Sequence, residues 1–282
     1  MTAAPVTPDL GPGAGPAGPR VRFGGLLGSE WTKIRSVRST FWTLILFVVI
    51  TVGLCTLLTW LTETSWNSGQ NSAARDATVR ADPVSLILGA GIGLGQLTIC
   101  VLGVLLISTE YSTGVIRASL LAVPRRLPML AAKAVVFAAL ILVLSEIVVF
   151  ASFFIGSSLL HSKVSVSLSD PGVARAVAGS GLYLTVLGLL ALAIGTLLRH
   201  TAGSIATVIG VVLVLPILAG LLPGSWGAHV NAYLPEQAGT LITHAHQSSS
   251  DLLSPWQGFG ILCGWAALLL AAAAWMLRHR DA

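Results

Sequence analysis

The sequence predicts an all-α integral membrane protein with six transmembrane helices, an N-terminal interfacial helix, and short outer-face helices between spans 5 and 6. Only 10% of the 282 residues are charged, compared with roughly 25% in soluble domains, and 54% are hydrophobic. Six apolar stretches also reach the length of about 20 residues that a helix needs to cross the hydrocarbon core. So few charges cannot cover so much apolar bulk in water, and these observations exclude a soluble globular domain.

The chain is expected to begin with a disordered cytoplasmic tail over residues 1–22, followed by one membrane domain over residues 23–282. Residues 1–19 are dominated by Pro, Gly and Ala and contain no apolar core. A secretory signal peptide needs a basic start followed by an apolar run, and this segment has neither. Its composition is typical of disorder.

A short amphipathic helix is predicted directly before the first span. Its apolar residues recur at helical spacing and charged residues lie between them: Phe23, Leu26, Leu27, Trp31 and Ile34 alternate with Glu30, Lys33, Arg35 and Arg38. A soluble amphipathic helix would show a similar pattern. The apolar run that follows favours a helix in the membrane interface, with its cations near lipid phosphates.

The six predicted spans cover residues 41–61, 85–107, 134–159, 177–198, 202–222 and 256–277. Three residues, Arg199, His200 and Thr201, separate the fourth span from the fifth, which predicts a tight turn between antiparallel neighbours. The second span carries glycines that would let a neighbouring helix approach closely, namely Gly89, Gly91, Gly93 and Gly95. No strand precedes them and no Gly-Lys-Ser/Thr follows, so they do not indicate a nucleotide-binding loop.

The distribution of Lys and Arg predicts the orientation of the chain. With the N-terminus in the cytoplasm, twelve of these residues fall in cytoplasmic segments and only four, Arg75, Arg80, Lys163 and Arg175, fall in outer loops. Cytoplasmic loops carry the excess of positive charge in membrane proteins. We therefore expect a multi-pass protein of the cell (plasma) membrane with both termini in the cytoplasm.

The net charge of +5 does not indicate a nucleic-acid partner. The basic residues lie beside the apolar stretches rather than in one broad field, so membrane lipids are the expected contacts. The cysteines Cys55, Cys100 and Cys263 all lie in apolar segments. They are too few and too scattered for a disulfide framework or a metal site, and buried free thiols are expected.

The outer segment 223–254 is predicted to form one or two short helices at the outer leaflet, with a plain loop as the alternative. Apolar residues share one helical face, Val230, Tyr233, Leu234, Ala238, Leu241 and Ile242, and Pro235 fits a first helical turn. The segment also contains polar residues that could suggest a metal site: His229, Glu236, His244, His246 and Asp251. On a helix His244 and His246 would point apart, so we expect a solvated polar rim and no metal.

The first inner loop, from Ser108 to Lys133, is the most informative stretch. Glu110 follows the second span, Arg117 lies seven residues later, and Pro124, Arg125 and Arg126 close the segment. Residues 113–123 can form a short helix with an exposed apolar face, rimmed by these charges. Such a helix could dock on a partner protein or lie on the membrane, and the residues themselves leave both open.

Two polar residues fall inside predicted spans and mark a possible intramembrane site. Glu146 lies midway along the third span and Gln96 lies in the second. Burying an isolated carboxylate in hydrocarbon is costly. Glu146 could hold helices together as a protonated or hydrogen-bonded group, or it could have a functional role as a polar contact on a transport route or as a protonation switch.

Three segments resemble the membrane subunit of type 2 ATP-binding cassette (ABC) transporters in its actinobacterial form. They are SEWTKIRSVRSTFW near the N-terminus, TEYSTGVIRASLLAVPRR in the first inner loop, and the C-terminal PWQGFGILCGWAALLLAAAAWMLRHRDA. The resemblance covers nearly all of the chain beyond the first twenty residues, and the E-Y-x-x-G-x-x-R loop followed by P-R-R is its most specific part.

The resemblance implies the permease of an exporter, whose first inner loop couples to a separate ATP-binding subunit. The implied coupling residues are Glu110, Tyr111, Gly114, Arg117, Pro124, Arg125 and Arg126, and the implied interfacial-helix contacts are Glu30, Trp31, Lys33 and Arg35. The other implied partner is a second copy of the chain or a homologous permease. ATP and Mg would be bound by the partner subunit, with no cofactor in this chain.

The sequence also indicates, independently of the resemblance, that this chain is not an ATPase. None of its three lysines, Lys33, Lys133 and Lys163, lies in a Gly-rich phosphate loop. A membrane-embedded enzyme acting on lipids would need two or more polar catalytic groups at one depth, and only Glu146 and Gln96 qualify. A nucleotide-independent channel or scaffold is the remaining alternative, and the sequence does not identify a substrate.

Overall fold

The computed structural model describes residues 23–67, 77, 79–112, 126–248 and 251–279. Within these ranges the regular structure is helical, in the order α1 (Phe23–Ser36), α2 (Arg38–Asn67), α3 (Pro83–Ser112), α4 (Arg126–Leu160), α5 (Val173–Leu198), α6 (Thr201–Ile209), α7 (Leu215–Gly220), α8 (Gly224–Ala232), α9 (Pro235–Thr240) and α10 (Pro255–His279). A π-helical stretch, Gly210–Val214, joins α6 to α7, and a 3₁₀ turn, Leu241–Thr243, follows α9.

Within the described part of the chain, six helical segments are long and apolar enough to cross a membrane, as predicted. They are Arg38–Trp66, Pro83–Tyr111, Leu127–Leu160, Val173–Leu198, Thr201–Gly220 and Pro255–His279. Each predicted span lies within the matching helical segment or ends within two residues of it. The differences arise at helix ends, which are the least predictable part of a helix: most helices continue beyond the predicted stretch, whereas the fifth ends at Gly220, before Leu221 and Leu222.

Successive spans run in opposite directions, so the loops gather at two ends of the bundle, which we call the near side and the far side. The near side carries α1, the end of α3 and the turn at Arg199, whose guanidinium lies over the ring of Tyr111. The far side carries α8, α9 and the 3₁₀ turn, where Arg175 at the start of α5 donates hydrogen bonds to the carbonyl oxygens of His244 and Ala245. The near side is the end that the charge distribution predicts to be cytoplasmic.

Helix α5 forms the centre of the bundle and is buried along most of its length. It lies against α3, α4 and α10, while α2 packs on the other side of α3. Gly103 of α3 faces Gly188 of α5 so closely that an added Cβ would lie 2.7 Å from the Gly188 carbonyl oxygen. Small residues at this crossing bring the two backbones together, as is usual where membrane helices pack tightly.

The predicted role of the four glycines in α3 is confirmed for two of them. A Cβ on Gly91 or Gly95 would overlap atoms of Thr51 in α2, so these two glycines permit the close approach of the helices. Gly89 and Gly93 have open space where a Cβ would lie. They point to a different face of α3, which lines a cavity on the far side.

The fifth span is interrupted by its π-helical stretch and by Pro216 in the first turn of α7. Proline has no backbone N–H to continue the hydrogen-bond ladder, and single π turns commonly accommodate such a break. Little of this span is buried in the single chain, and Leu213, Ile217 and Leu218 are among its exposed residues. An apolar exposed face of this kind suits lipid or another membrane helix.

Short helices between the fifth and sixth spans are present as predicted, in α8, α9 and the 3₁₀ turn. Pro235 occupies the first turn of α9. Leu234, Ala238 and Ile242 are buried, whereas Val230 and Tyr233, predicted to share their face, are exposed. These apolar residues do not share one helical face because α8 ends at Ala232 and a separate helix, α9, begins at Pro235.

Helix α1 covers nearly all of the predicted residues. However, the residues that it buries against the rest of the protein are only partly those predicted to form its apolar face. Leu26, Glu30 and Ile34 are its buried residues, and the helix packs on α4. Phe23 and Trp31, assigned to the same apolar face, are exposed. The buried face of α1 therefore has the Glu30 carboxylate at its centre, and the aromatic side chains of Phe23 and Trp31 remain exposed.

Candidate functional site

Four charged side chains from three helices meet on the near side and form what we call the charge cluster, defined by Glu30 and Lys33 of α1, Glu110 of α3 and Lys133 of α4. Two carboxylates face two ammonium groups, so the cluster is neutral when all four are ionised. Each carboxylate contacts both lysines. Pairing of this kind is what allows charged groups to be buried.

Lys133 is the centre of the charge cluster. Its Nζ donates hydrogen bonds to Glu30 Oε2 at 2.5 Å and to Glu110 Oε1 at 2.9 Å. The side chains of Lys133 and Glu30 are only 1% and 2% exposed, so this pair is removed from water. Lys33 lies at the rim with 36% of its side chain exposed, and its Nζ is 2.7 Å from Glu30 Oε1 and 3.3 Å from Glu110 Oε1.

The charge cluster stabilises the ionised forms of its α1 members. Burial by itself raises the pKa of Glu30, but the charge and hydrogen bond of Lys133, together with Lys33, outweigh it, and the net pKa lies below its usual value. Burial lowers the pKa of Lys33, but the hydrogen bond to Glu30 and the charge of Glu110 raise it to a net value above the usual one. Both residues are therefore charged near neutral pH.

The charge cluster joins the two ends of the first inner loop to the N-terminal helix. Glu110 lies two residues before the end of α3, and Lys133 lies in the second turn of α4. Glu30 approaches them from α1. A force applied to α1 or to the loop would therefore reach the second and third spans through buried ion pairs rather than through flexible surface contacts.

A second near-side contact ties the end of α3 to the turn between the fourth and fifth spans. The guanidinium of Arg199 lies 5.3 Å from the ring centre of Tyr111, a cation–π geometry. Arg199 follows the last residue of α5 as its C-cap, with φ 55°, a left-handed conformation that is uncommon for residues other than glycine. His200 is the N-cap of α6, and its Nδ1 accepts a hydrogen bond from the Gly203 N–H at 3.1 Å.

The coupling residues predicted from the sequence divide into three groups. Glu110 and Tyr111 lie at the near side, with the Glu110 carboxylate turned into the charge cluster rather than outward. Arg126 begins α4. Gly114, Arg117, Pro124 and Arg125 lie outside the described residues. In α1, Trp31 and Arg35 are exposed, whereas Glu30 and Lys33 belong to the cluster.

Glu146 and Gln96 lie on different packing faces and do not form one site. The Glu146 carboxylate packs against Gly181 of α5, where an added Cβ would overlap it, and no described residue is hydrogen-bonded to its Oε2. The Gly181 carbonyl accepts a hydrogen bond from Ser145. Gln96 instead accepts a hydrogen bond from the Tyr183 hydroxyl inside the bundle.

On the far side, Asp82, Ser85 and His244 connect the second span to the segment before the sixth. Ser85 Oγ lies 2.6 Å from Asp82 Oδ2 and 2.8 Å from His244 Nδ1. The Asp82 carboxylate, whose Oδ2 lies 3.6 Å from His244 Nδ1, raises the pKa of His244. Burial raises the pKa of Asp82, but its contact with His244 and the hydrogen bonds from Ser85 outweigh burial and give a net lowering.

The Asp82–His244 contact should make stability depend on pH. A raised histidine pKa adds stability below its unfolded value, and that stability disappears as pH rises through the folded pKa. We expect His244→Gln to lower the unfolding free energy by about 0.2–1 kcal/mol at pH 6, as is usual for exposed pairs, and to have almost no effect at pH 9. Thermal unfolding in detergent at both pH values measures this. The exposed His246 supplies the control His246→Gln, and a pH-independent His244→Gln effect would contradict the expectation.

The predicted polar rim is only partly solvated. His229, His244 and His246 are exposed, whereas Glu236 and Asp251 are partly buried, and Glu236 lines a cavity. Among the described residues, no group of three or more His, Cys, Asp or Glu side chains is placed to hold a metal ion. Cys55 and Cys100 are buried free thiols as expected, whereas Cys263 is only half-buried.

Sequence reasoning missed the residue at the centre of the charge cluster. Lys133 was counted only as a loop cation, although it borders the third apolar stretch. A lysine beside a long apolar run, with one glutamate inside the N-terminal amphipathic helix and another just after the second apolar stretch, was the available signal. The contact of Arg199 with Tyr111 and that of Asp82 and Ser85 with His244 were also missed, because these residues are remote from each other in sequence. Neither a protein-family model nor a curated protein matches this chain.

Proposed function

We propose that this chain is the permease subunit of an ABC transporter, most consistent with an exporter, and that a separate ATP-binding subunit supplies its energy. The charge cluster is the observation that carries the proposal. It connects α1 to both ends of the inner loop that, by resemblance, docks on the ATP-binding subunit.

The charge cluster is suited to transmitting force from a partner subunit to the membrane spans. Ion pairs buried with good geometry resist rearrangement because separating them would leave an uncompensated charge out of water. Closure of a partner against the near side would then tilt α1 and the second and third spans together as a rigid body. The neutral total charge of the cluster leaves the exposed cations Arg35 and Arg38 free to contact acidic groups or lipid phosphates.

The proposal includes the orientation and the assembly. Both termini lie in the cytoplasm of a plasma-membrane protein, the near side faces the ATP-binding subunit, and two permeases pair within the membrane. The exposed apolar side chains of the fifth span support such pairing, since no described residue of the single chain covers them. ATP and Mg are held by the partner subunit.

The test is whether an ATP-binding subunit co-purifies with this chain. Arg117→Glu reverses a charge in the proposed docking loop and is expected to reduce recovery of the partner at least tenfold and to abolish ATP-dependent transport. Lys163→Glu makes the same charge change at an exposed position between the third and fourth spans and should leave both unchanged.

Topology provides an independent measurement. Cysteines introduced at positions 117 and 125 should react with a membrane-impermeant maleimide only after the cytoplasmic face is opened, with the protein lacking added cysteines as the control. Labelling of both positions in intact cells, or a normal complex in Arg117→Glu, would refute the proposal.

A further inference from the structure

A cavity of about 320 Å³ lies on the far side between α3 and the α9 segment. This volume is at the lower end of the range for small-molecule sites. Its α3 wall is a single helical stripe that includes Ser85, Gly89, Gly93 and Gln96, and its opposite wall is formed by Glu236, Thr240, Thr243 and His244.

The two glycines of the α3 wall create the space. Gly89 and Gly93 have no heavy atom within 4 Å of an added Cβ, unlike Gly91 and Gly95 on the face toward α2. Helix packing therefore does not require glycine at positions 89 and 93. The absence of side chains there leaves room between α3 and the far-side helices.

The cavity wall offers mainly hydrogen-bond acceptors. The hydroxyl of Thr240 donates to the carbonyl of Gln237 and that of Thr243 donates to the carbonyl of Thr240. Ser85 donates to Asp82. A hydroxyl has one proton and two acceptor sites, so these three groups can only accept from a ligand. The amide nitrogen of Gln96, whose oxygen accepts from Tyr183, is the exception.

Glu236 gives the cavity its charge preference. Within the described part of the chain this carboxylate forms no salt bridge, and burial raises its pKa to about 7. The positive charge that His244 carries when protonated is offset by Asp82, 3.6 Å away. An unpaired carboxylate among acceptor hydroxyls would be stabilised by a ligand that brings several N–H donors and a positive charge.

We propose that this far-side cavity is a binding site for a small amphipathic organic ammonium ion, with the ammonium group on Glu236 and the apolar part beside Leu88 and Ile92. The ammonium supplies donors to the carboxylate and the threonine hydroxyls, and the open glycine faces accommodate its body. This binding-site proposal is independent of the proposed ATP-driven transport, because binding requires no nucleotide.

The probe is tritiated tryptammonium, measured by scintillation proximity with the full chain in zwitterionic lipid nanodiscs at pH 8. Saturable binding is expected, and unlabelled tryptammonium should displace it. Tryptophol, which replaces the ammonium by a hydroxyl, should compete at least tenfold more weakly. Equal competition by tryptophol would show that the charge is not recognised and would overturn the proposal.

Two variants test the site itself. Glu236→Gln should weaken binding at least tenfold, whereas Asp170→Asn, which removes an exposed carboxylate from a far-side loop, should not. Gly93→Leu fills the cavity and should abolish binding, whereas Gly53→Leu adds the same side chain in open space on α2. Unfolding temperatures establish that each variant is folded. Wild-type affinity in folded Glu236→Gln and Gly93→Leu would refute the site, as would the absence of saturable binding to the wild type.

Discussion

Replacing Lys133 by methionine is expected to destabilise the protein by about 3–5 kcal/mol, the usual consequence of removing one partner from a buried ion pair. Methionine preserves most of the side-chain volume, so the change isolates the charge. Glu30 and Glu110 would then share Lys33, which is partly exposed, and one buried carboxylate would lack a counter-charge. The unfolding free energy is measured by titration with sodium dodecyl sulfate in mixed micelles.

Three comparisons make this expectation specific to the charge cluster. Lys163→Met removes an exposed lysine and should change the unfolding free energy by less than about 0.5 kcal/mol. Lys33→Met, at the cluster rim, should lie between the two. Adding Glu110→Gln to Lys133→Met restores neutrality and should recover part of the loss, because the two substitutions act on one network. Additive effects, or equal effects of Lys133→Met and Lys163→Met, would show that the cluster does not stabilise the fold.

The spans could be predicted from the sequence because a single physical requirement defines them. A helix must present enough apolar residues to cross hydrocarbon, and that requirement is satisfied locally. The short far-side helices were predictable for a similar reason, since Pro235 and the apolar spacing act within one or two turns. The inward face of α1 was not predictable, because α4 covers Glu30 while Trp31 stays exposed.

The candidate sites depend on the helix arrangement, which the sequence alone did not provide. Glu30 and Lys133 are 103 residues apart in the chain, and their contact follows from the packing of α1 on α4. The glycines of α3 illustrate the same limit. Their spacing indicated close helix contact, but only the position of α2 distinguishes Gly91 and Gly95, which make that contact, from Gly89 and Gly93, which line the far-side cavity.

The crossing of α3 and α5 should be the other position where a small change has a large effect. Gly103→Ala places a methyl group 2.7 Å from the carbonyl oxygen of Gly188 and 3.2 Å from the backbone nitrogen of Leu192. Both neighbours are backbone atoms of the central helix and cannot move away by changing a rotamer. We expect a loss of about 1–3 kcal/mol in unfolding free energy, typical of overpacking in a tight core, measured by the same titration.

Gly53→Ala is the matched control, because it adds the same methyl group to a span where no atom lies within 4 Å. Alanine is favoured over glycine within a helix by roughly 0.5–1 kcal/mol, so this variant should be neutral or more stable. The two substitutions share the change in helix propensity, and the difference between them therefore reports the steric contact alone. If Gly103→Ala were as stable as Gly53→Ala, the two backbones would not be in contact at this crossing, and α5 could not occupy the centre of the bundle as described.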